Sequence, residues 1–208
     1  MQIFGIILAG GQGSRMQDGG ADKALLSLAG RPLLAHAIAR LAPQTAGLAL
    51  SANGDPARFR GFDVPVLADT VPGYPGPLAG ILAGLDWAVA KGAGAVVSVA
   101  VDTPFFAHDL VARLAAFPQG ALAASATGLH PTFALWPVSL RAALHAALAA
   151  GQRKVSAFAA AQGMARVEFA GAPRECGPQP IPGPDPFFNI NTAADLEQAT
   201  LFLLQARA

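Results

Sequence analysis

The 208-residue chain has few cysteines, few lysines and few charges of either sign. Its single cysteine, Cys176, excludes an internal disulfide and is typical of a cytoplasmic protein. The 14 basic and 13 acidic residues leave a net charge of +1, which predicts no binding to nucleic acid or to an anionic membrane. No apolar run approaches the roughly 20 residues of a membrane helix, and the N-terminal IFGIILA has no basic leader. We therefore expect a cytoplasmic protein.

Apolar residues, in contrast, are plentiful. They make up 53% of the chain against 13% for the charged types, which predicts a large core and a sparsely charged surface. A chain of this length buries roughly 70% of its unfolded surface and needs no disulfide to hold it together. We expect one domain over residues 1–208. Each charged residue near a glycine-rich loop then becomes a stronger candidate for function.

Short apolar segments alternate with amphipathic ones. Strands are predicted at residues 3–9, 47–53, 64–69, 95–101, 120–126, 130–137 and 164–170. Helices are predicted from Pro32, over 75–92, around 110–117, over 139–151 and from Thr192, where Asp195 forms a capping-box-like pair. This alternation predicts an α/β fold, a three-layer α/β/α arrangement with a mainly parallel, Rossmann-like sheet.

Candidate functional residues lie at the ends of four predicted strands. A glycine-rich loop follows residues 3–9, and Asp102 follows residues 95–101. Asn53 and Asp69 end the second and third strands. Ligands bind beyond the carboxyl ends of parallel strands, so we expect these four features to meet at one edge of the sheet.

The glycine-rich loop lies in FGIILAGGQGSRMQDGGADKALL, residues 4–26. Its glycines allow a phosphate to approach backbone N–H groups, and Arg15 and Lys23 supply positive charge. A Walker loop is excluded because no Gly-Lys-Ser/Thr opens a helix, and the dinucleotide fingerprint fails because Met16 replaces its third glycine. The pattern LxGGxGxRM followed by a lysine is that of nucleotidyltransferases. A simple turn with solvated basic residues is the alternative.

Further motifs follow in a fixed order. They are DKALLSLAGRPLLAHAIARL after LAGGQGSRM, SAN at 51–53, Asp69 before YPGPLAG, VDTPF at 101–105, HPTFAL at 130–135, GQRKV at 151–155 and NINTAADL at 189–196. With them the chain resembles the molybdenum cofactor guanylyltransferases over nearly its whole length. It departs from the family in RMQDGGADK, two residues longer than the usual RMGGxDK, and in VAVDTP, where PCDTP is usual. The proline-rich stretch 171–186 has no assigned role.

The resemblance implies a Rossmann-like nucleotidyltransferase fold and an enzyme that transfers GMP from GTP to molybdopterin. Residues 1–105 would bind the nucleotide and residues 106–208 the acceptor. Molybdenum-insertion proteins and recipient molybdoenzymes are implied as partners. Two alternatives remain open: a related nucleotidyltransferase that uses CTP with molybdopterin or activates a sugar phosphate, and a non-catalytic nucleotide-binding module.

Three residues are the candidates for catalysis. Asp102, at the end of a central strand, is the candidate ligand for Mg²⁺, which prefers one or two carboxylates together with substrate phosphates. Arg15 is expected to bind the β- and γ-phosphates, and Lys23 the α-phosphate. The alternatives are that Asp102 caps a helix and that Lys23 pairs with Asp22 at the surface.

The expected nucleotide contacts are the loop residues Leu8, Ala9, Gly10, Gly11 and Gly13, together with Lys23, Asp102, Asn53 and Asp69. In the family, positions equivalent to Asn53 and Asp69 lie on the nucleotide side. An amide and a carboxylate suit the N–H groups of guanine. An Asx turn at Asn53 and a strand-end cap at Asp69 are the alternatives.

The expected acceptor contacts are His130, Arg153, Lys154, Asn189 and Asn191. The two asparagines flank Ile190, so an extended segment would present both on one face. The resemblance places them near the metal or the pterin. The alternatives are turn and cap chemistry before Thr192 and, for Arg153 and Lys154, charges at a helix C-terminus.

Overall fold

A computed structural model of the chain describes residues 1–10, 22–71, 76–171 and 185–205. Its strands are β1 (Ile3–Leu8), β2 (Ser27–Leu28), β3 (Arg31–Pro32), β4 (Gly47–Ser51), β5 (Val66–Leu67), β6 (Ala95–Ala100), β7 (Ala121–Ser125), β8 (Gly128–Pro137) and β9 (Ala165–Glu168). Its α-helices are α1 (Leu33–Leu41), α2 (Pro77–Ala90), α3 (Leu110–Ala115), α4 (Arg141–Ala149), α5 (Val155–Ala161) and α6 (Ala193–Gln205). Short 3₁₀ turns cover Lys23–Leu25, Ala42–Gln44, Pro56–Phe59 and Val138–Leu140.

One seven-stranded sheet runs through the fold in the order β5-β4-β1-β6-β8-β7-β9, and β2 and β3 form a separate hairpin. Every neighbouring pair in the large sheet is parallel except the two that involve β8. The segment 95–101, expected to form a central strand, supplies β6 in the middle of the order. The predicted mainly parallel α/β fold is confirmed.

Helices cover both faces of the sheet, which is why β1 is apolar at consecutive positions instead of alternating. Ile7 packs in a core with α1, α3 and the buried side of α6, whereas Ile6 and Leu8 pack in a second core with α2, α4 and α5. Each core fills the space between the sheet and the helices on one of its faces. No helix in the described part of the chain combines the length and apolarity needed to cross a bilayer.

The hairpin of β7 and β8 carries an irregularity near its open end. Leu122 pairs with Ala134, but the next residue, Ala123, pairs with His130, so β8 has three extra residues, Pro131 to Phe133, at this point. Proline lacks the N–H needed for a regular ladder and is tolerated in such a bulge. The bulge places His130 opposite Ala123.

Three expectations for the helices were wrong. Phe117 lies outside α3 and is 39% exposed, because Pro118 disfavours a helical conformation in the residue before it. In the helix predicted over 75–92, Val89 continues the apolar spacing of Ile81, Leu82 and Leu85, but it is 47% exposed in the last turn of α2. Helix α5 was not anticipated, since its seven residues give a weak periodic signal.

Helix α2 needs glycine where it crosses the ends of β1 and β4. A Cβ built on Gly80 would lie 2.3 Å from Ser51 Oγ and 3.0 Å from Leu8 Cδ2, both in buried residues. The helix therefore lies closer to the sheet than any larger residue would allow.

We expect Gly80→Ala to destabilise the protein. Overpacking costs about 1–3 kcal/mol, more than the roughly 0.5–1 kcal/mol that alanine gains over glycine inside a helix. Chemical denaturation measures the difference, and Gly61→Ala is the control because a Cβ there meets no atom within 4 Å. A Gly80→Ala variant that is as stable as the parent would contradict the close packing.

Candidate active site

The carboxyl ends of β1, β4, β5 and β6 lie side by side. Backbone hydrogen bonds continue past the strands, from Ala9 N to Ser51 O at 2.9 Å, from Ala52 N to Leu67 O at 3.0 Å and from Val101 N to Leu8 O at 3.1 Å. The loops that leave this edge carry Ala9, Gly10, Asn53, Asp69 and Asp102. The structure therefore brings these candidates to one edge of the sheet, as the strand pattern predicts.

Lys23 joins two distant parts of the chain at this edge. Its Nζ donates to Asp102 Oδ2 at 2.7 Å and to Asn191 Oδ1 at 2.7 Å. The side chains of Lys23 and Asp102 are 25% and 19% exposed, so the ion pair is partly screened from water. The two extra residues before Lys23 in the sequence do not prevent this placement.

The local turn around Lys23 explains its position. Asp22 caps a 3₁₀ turn by accepting from Ala24 N at 3.0 Å, and the turn leads through the β2–β3 hairpin into α1. The side chain of Asp22 pairs with Arg58 Nε at 2.7 Å and not with Lys23. The alternative in which Asp22 simply neutralises Lys23 at the surface is therefore wrong.

Asp102 does not cap a helix, because the residues after it form turns and α3 begins only at Leu110. The backbone carbonyl of Asp102 accepts from Ile190 N at 2.9 Å, and its Oδ1 accepts from the Thr103 hydroxyl at 3.2 Å. Backbone and side-chain contacts together fix the carboxylate beside Lys23.

Asn53 and Asp69 form a reciprocal pair. Asn53 Nδ2 donates to Asp69 Oδ2 at 2.8 Å, and Asp69 N donates to Asn53 Oδ1 at 2.9 Å. A Cβ built on Gly10 would lie 3.9 Å from Asn53 Nδ2, so Gly10 adjoins the pair. Among the described residues no hydrogen bond reaches Asp69 Oδ1, which leaves this oxygen to accept from a ligand.

Arg58 is a site residue that sequence reasoning missed. Its guanidinium donates to Asn53 O at 2.6 Å while Nε pairs with Asp22, so it connects the Asn53–Asp69 pair to the turn that carries Lys23. Gly54 makes room for it: its φ is +85°, and a Cβ there would lie 2.9 Å from Arg58 Nη1. Arg58 belongs to no motif, and a single arginine in a polar loop gives no sequence signal of a functional role.

The segment 185–191, which we call the strap, places Asn189 and Asn191 as the alternation predicts. Ile190 is 1% exposed, and both asparagines are exposed on the other side. Asn191 reaches Lys23, but no described contact joins the Asn189 side chain to the cluster. The capping role before α6 belongs to Thr192, whose Oγ1 accepts from Asp195 N at 3.1 Å.

His130, an expected acceptor contact, lies on strand β8. Its Nε2 is 2.8 Å from Ser125 Oγ, and its ring stacks on Phe187 with 4.2 Å between centroids. Burial lowers the pKa of His130, against the opposing influence of Asp185 and Glu168, so the imidazole is neutral at physiological pH. Sequence reasoning had missed Ser125, Thr127 and Asp185 around it.

Arg153 and Lys154 lie apart from these clusters, between α4 and α5. Arg153 Nη1 donates to Leu148 O at 3.2 Å and to Gln152 O at 3.0 Å, which is the helix C-terminal arrangement named as its alternative. No described contact joins either residue to Lys23 or Asp102, and their acceptor role stays a prediction. Gly11, Gly13, Arg15 and Cys176 lie outside the described residues.

The donor set around Lys23 suits a magnesium ion bound together with a phosphate-bearing ligand. Asp102 Oδ2 and Asn191 Oδ1 converge on one positive charge, the Lys23 ammonium, and both are hard oxygen donors. Within the described ranges no group of three or more His, Cys, Asp or Glu side chains converges on a metal position. The residues present therefore fit a cation completed by substrate oxygens and not an all-protein cage.

The chain is similar in sequence to proteins of one enzyme family. Residues 5–166 match the family described as the MobA-like NTP transferase domain. The molybdenum cofactor guanylyltransferase of Cereibacter sphaeroides is 48% identical over 205 residues, covering 98% of this chain and 98% of that protein. The protein of the same name from Mesorhizobium japonicum is 50% identical over 208 residues, covering 97% and 96%.

Solved nucleotidyltransferases share the fold. Molybdopterin-guanine dinucleotide biosynthesis protein A from Archaeoglobus fulgidus matches with a TM-score of 0.69 at 20% identity, covering 97% of this chain and 99% of that chain. The 4-diphosphocytidyl-2C-methyl-D-erythritol synthase from Anaerococcus prevotii matches with a TM-score of 0.71 at 13% identity, covering 98% of each. At these identities the similarity establishes the nucleotidyltransferase fold alone.

The cap that ends the strap makes stability depend on pH. Hydrogen bonds from Asn191 N and from Thr192, with the nearby Lys23 charge, hold the pKa of Asp195 below its usual value against the opposing effect of burial. A depressed carboxyl pKa stabilises the fold above the unfolded value of about 3.9 and loses this effect as pH falls through the folded value. We expect Asp195→Asn to melt a few degrees below the parent at pH 7, and the difference to shrink as pH falls below the unfolded pKa of about 3.9.

Thermal melts across this pH range test the expectation, and Glu197→Gln on α6 is the control because its carboxylate has no such bonds among the described residues. A constant difference between Asp195→Asn and the parent at every pH would contradict it.

Proposed function

This chain belongs to the MobA-like NTP transferase family and, within it, to the molybdenum cofactor guanylyltransferases, and from that premise we propose how its residues carry out the transfer. The substrates are GTP and molybdopterin, and the products are molybdopterin guanine dinucleotide and pyrophosphate. The observation that carries the proposal is the meeting of Lys23, Asp102 and Asn191 at the sheet edge where Asn53 and Asp69 also lie. Three distant parts of the chain supply the groups that a nucleoside triphosphate requires.

The nucleotide lies against the ends of β1, β4 and β5. The backbone of Leu8, Ala9 and Gly10 borders the purine or ribose, and Gly11 and Gly13 are further nucleotide contacts that the family resemblance implies. Asn53 and Asp69 present fixed polar groups, because each holds the other in one orientation. The Oδ1 oxygen of Asp69 suits an N–H donor of guanine or a ribose hydroxyl.

The triphosphate extends from there towards Lys23 and Asp102. Lys23 contacts the α-phosphate, where its ammonium offsets the charge that builds up during transfer. Arg15 binds the β- and γ-phosphates, and its guanidinium stabilises the departing pyrophosphate. Asp102, with Asn191 beside it, holds Mg²⁺, which supplies charge neutralisation on the phosphate oxygens when bound.

The reaction depends on alignment of the two substrates by the protein more than on proton transfer. A terminal phosphate oxygen of molybdopterin bonds to the α-phosphorus of GTP as the bond from that phosphorus to the bridging oxygen of pyrophosphate breaks. The attacking phosphate is already ionised near neutral pH, so no general base is needed. Lys23 and Arg15 therefore act by orientation and charge.

The acceptor lies on the other side of Asp102. Residues 1–105 form the nucleotide half and residues 106–208 the acceptor half. Asn189, Asn191 and His130 line the acceptor side, and Arg153 and Lys154 are assigned to acceptor binding from the family resemblance. We place the reaction in the cytoplasm and name molybdenum-insertion proteins and recipient molybdoenzymes as partners. Support for these last assignments comes from family membership alone.

A nucleotide panel tests the substrate. Pyrophosphate release is measured with GTP, CTP, UTP and ATP, each with molybdopterin and each with a sugar 1-phosphate. We expect kcat/KM for GTP with molybdopterin to exceed the others by at least about tenfold, because none of the other bases presents the adjacent N1–H and N2–H₂ donors of guanine to a carboxylate. Preference for CTP, or transfer to the sugar phosphate, would overturn the substrate assignment and leave the fold intact.

Replacement of Asp102 tests the metal assignment. Asp102→Asn keeps the shape and removes the charge, so we expect turnover to fall by about a hundredfold or more while GTP affinity stays within a fewfold. Mn²⁺ binding in the presence of GTP, followed by electron paramagnetic resonance, is expected to weaken in parallel.

Asp86→Asn is the matched control, because Asp86 pairs with Arg141 on the outside of α2, away from the site. Unchanged turnover in Asp102→Asn would remove Asp102 from the machinery and would favour a non-catalytic binding module.

A further inference from the structure

A cluster of polar side chains ties the start of the strap to the β7–β8 hairpin. Asp185 Oδ2 accepts from Ser125 Oγ at 2.7 Å and from Thr127 Oγ1 at 2.6 Å, and Asp185 Oδ1 accepts from Phe187 N at 2.7 Å. His130 Nε2 lies 2.8 Å from the same Ser125 oxygen. We call these residues, Ser125, Thr127, His130 and Asp185, the hairpin clamp.

The hydrogens of the clamp can be assigned by elimination. An ionised carboxylate only accepts, so the single hydroxyl hydrogen of Ser125 goes to Asp185. Ser125 Oγ must then accept from its remaining partners, which are Thr127 N at 3.2 Å and His130 Nε2. This places the hydrogen of the neutral His130 ring on Nε2. One carboxylate thus fixes both hydroxyl groups and, through Ser125, the tautomer of His130.

The electrostatics of Asp185 agree with this arrangement. Burial by itself would raise the pKa of Asp185, but the hydrogen bonds from Thr127, Ser125 and Phe187 N hold it below the usual value. The carboxylate is therefore ionised at physiological pH. Glu168, the other carboxylate that acts on His130, pairs with Arg166 and makes no described contact with the strap.

The strap is held at three points along its length. Asp185 fixes its start, and Phe187, 4% exposed, packs on His130, Phe133 and Phe169. Ile190 fixes its end by donating to the carbonyl of Asp102. The strap opens with a turn, closed by a hydrogen bond from Phe188 N to Asp185 O at 3.0 Å, and the contacts at both ends fix its register. A shift of one residue between these contacts would turn Asn189 and Asn191 to the buried side.

We propose that Asp185 is a positioning residue for the acceptor, which locks the strap onto the hairpin so that Asn189, Asn191 and His130 share one fixed geometry. This rests on the proposed function, because the acceptor is the molybdopterin phosphate of that reaction. Asp185 touches neither the Asn53–Asp69 pair nor Lys23, so its loss weakens acceptor binding first and reaches the GTP site only through Asn191 at the far end of the strap.

Two variants with matched controls separate this role from a general loss of structure. Asp185→Asn removes the charge, and Thr127→Val removes one donor at constant shape. Thr127→Ser restores the hydroxyl, and Glu168→Gln removes the other negative charge beside His130 without touching the strap. Each purified protein is assayed for KM for molybdopterin, for GTP affinity by calorimetry, and for exchange of the Ile190 amide hydrogen.

We expect KM for molybdopterin to rise about tenfold in Asp185→Asn and severalfold in Thr127→Val, since hydrogen bonds to a charged group are the stronger kind. Thr127→Ser and Glu168→Gln are expected to match the parent, and GTP affinity to stay within twofold in all four. The Ile190 amide is expected to exchange at least tenfold faster in Asp185→Asn, with the amides of β1 and β6 unchanged.

The outcomes distinguish a failure of the proposed function from a failure of the positioning role of Asp185. If the parent protein transfers no GMP to molybdopterin, the proposed function fails, and amide exchange still decides whether Asp185 holds the strap. If the parent is active but Asp185→Asn leaves KM for molybdopterin and Ile190 exchange unchanged, the positioning role is overturned. Equal losses of GTP and acceptor binding overturn it as well, because they indicate a purely structural residue.

Discussion

The ammonium group of Lys23 holds three separate parts of the chain together. Asp102 comes 79 residues after it and Asn191 168 residues after it, yet both accept from the same Nζ at 2.7 Å. Because both side chains of the ion pair are mostly shielded from water, removal of either leaves the charge of the other without its ionic partner. The turn before α1, the end of β6 and the strap before α6 are thus fixed relative to one another at the edge where the strands end.

Much of this arrangement was predictable from the order of elements. Parallel strands end at the same edge of a sheet, so Asn53, Asp69 and Asp102 had to come near one another once the strands were recognised. The alternation of Asn189, Ile190 and Asn191 was equally readable, because a buried isoleucine in an extended segment turns its neighbours outward. The family resemblance supplied the substrates, which a fold shared with nucleotidyltransferases of other specificities does not determine.

The missed residues have a common physical reason. Arg58 and Asp185 act through contacts between loops, and neither has a spacing or a motif that points to its partner. Arg58 matters only because the Asn53 carbonyl and Asp22 arrive on either side of it, and Asp185 only because two hydroxyl groups of the hairpin face it. Similarly, the sequence shows Arg153 between a glutamine and a lysine, but the contact of its guanidinium with the Leu148 carbonyl at the end of α4 appears only in the fold.

The bulge in β8 decides which layer of the protein His130 belongs to. Paired residues of neighbouring strands share a face, and Ala134 lies with Leu122 in the core under α2 and α4. Because the insertion counts three residues, an odd number, the parity of the strand reverses, and His130 emerges beside Ala123, on the side of α1 and α6. An even insertion would send the same imidazole through to the opposite layer, away from the strap. The layer in which His130 lies is thus set by the number of inserted residues and by no particular side chain.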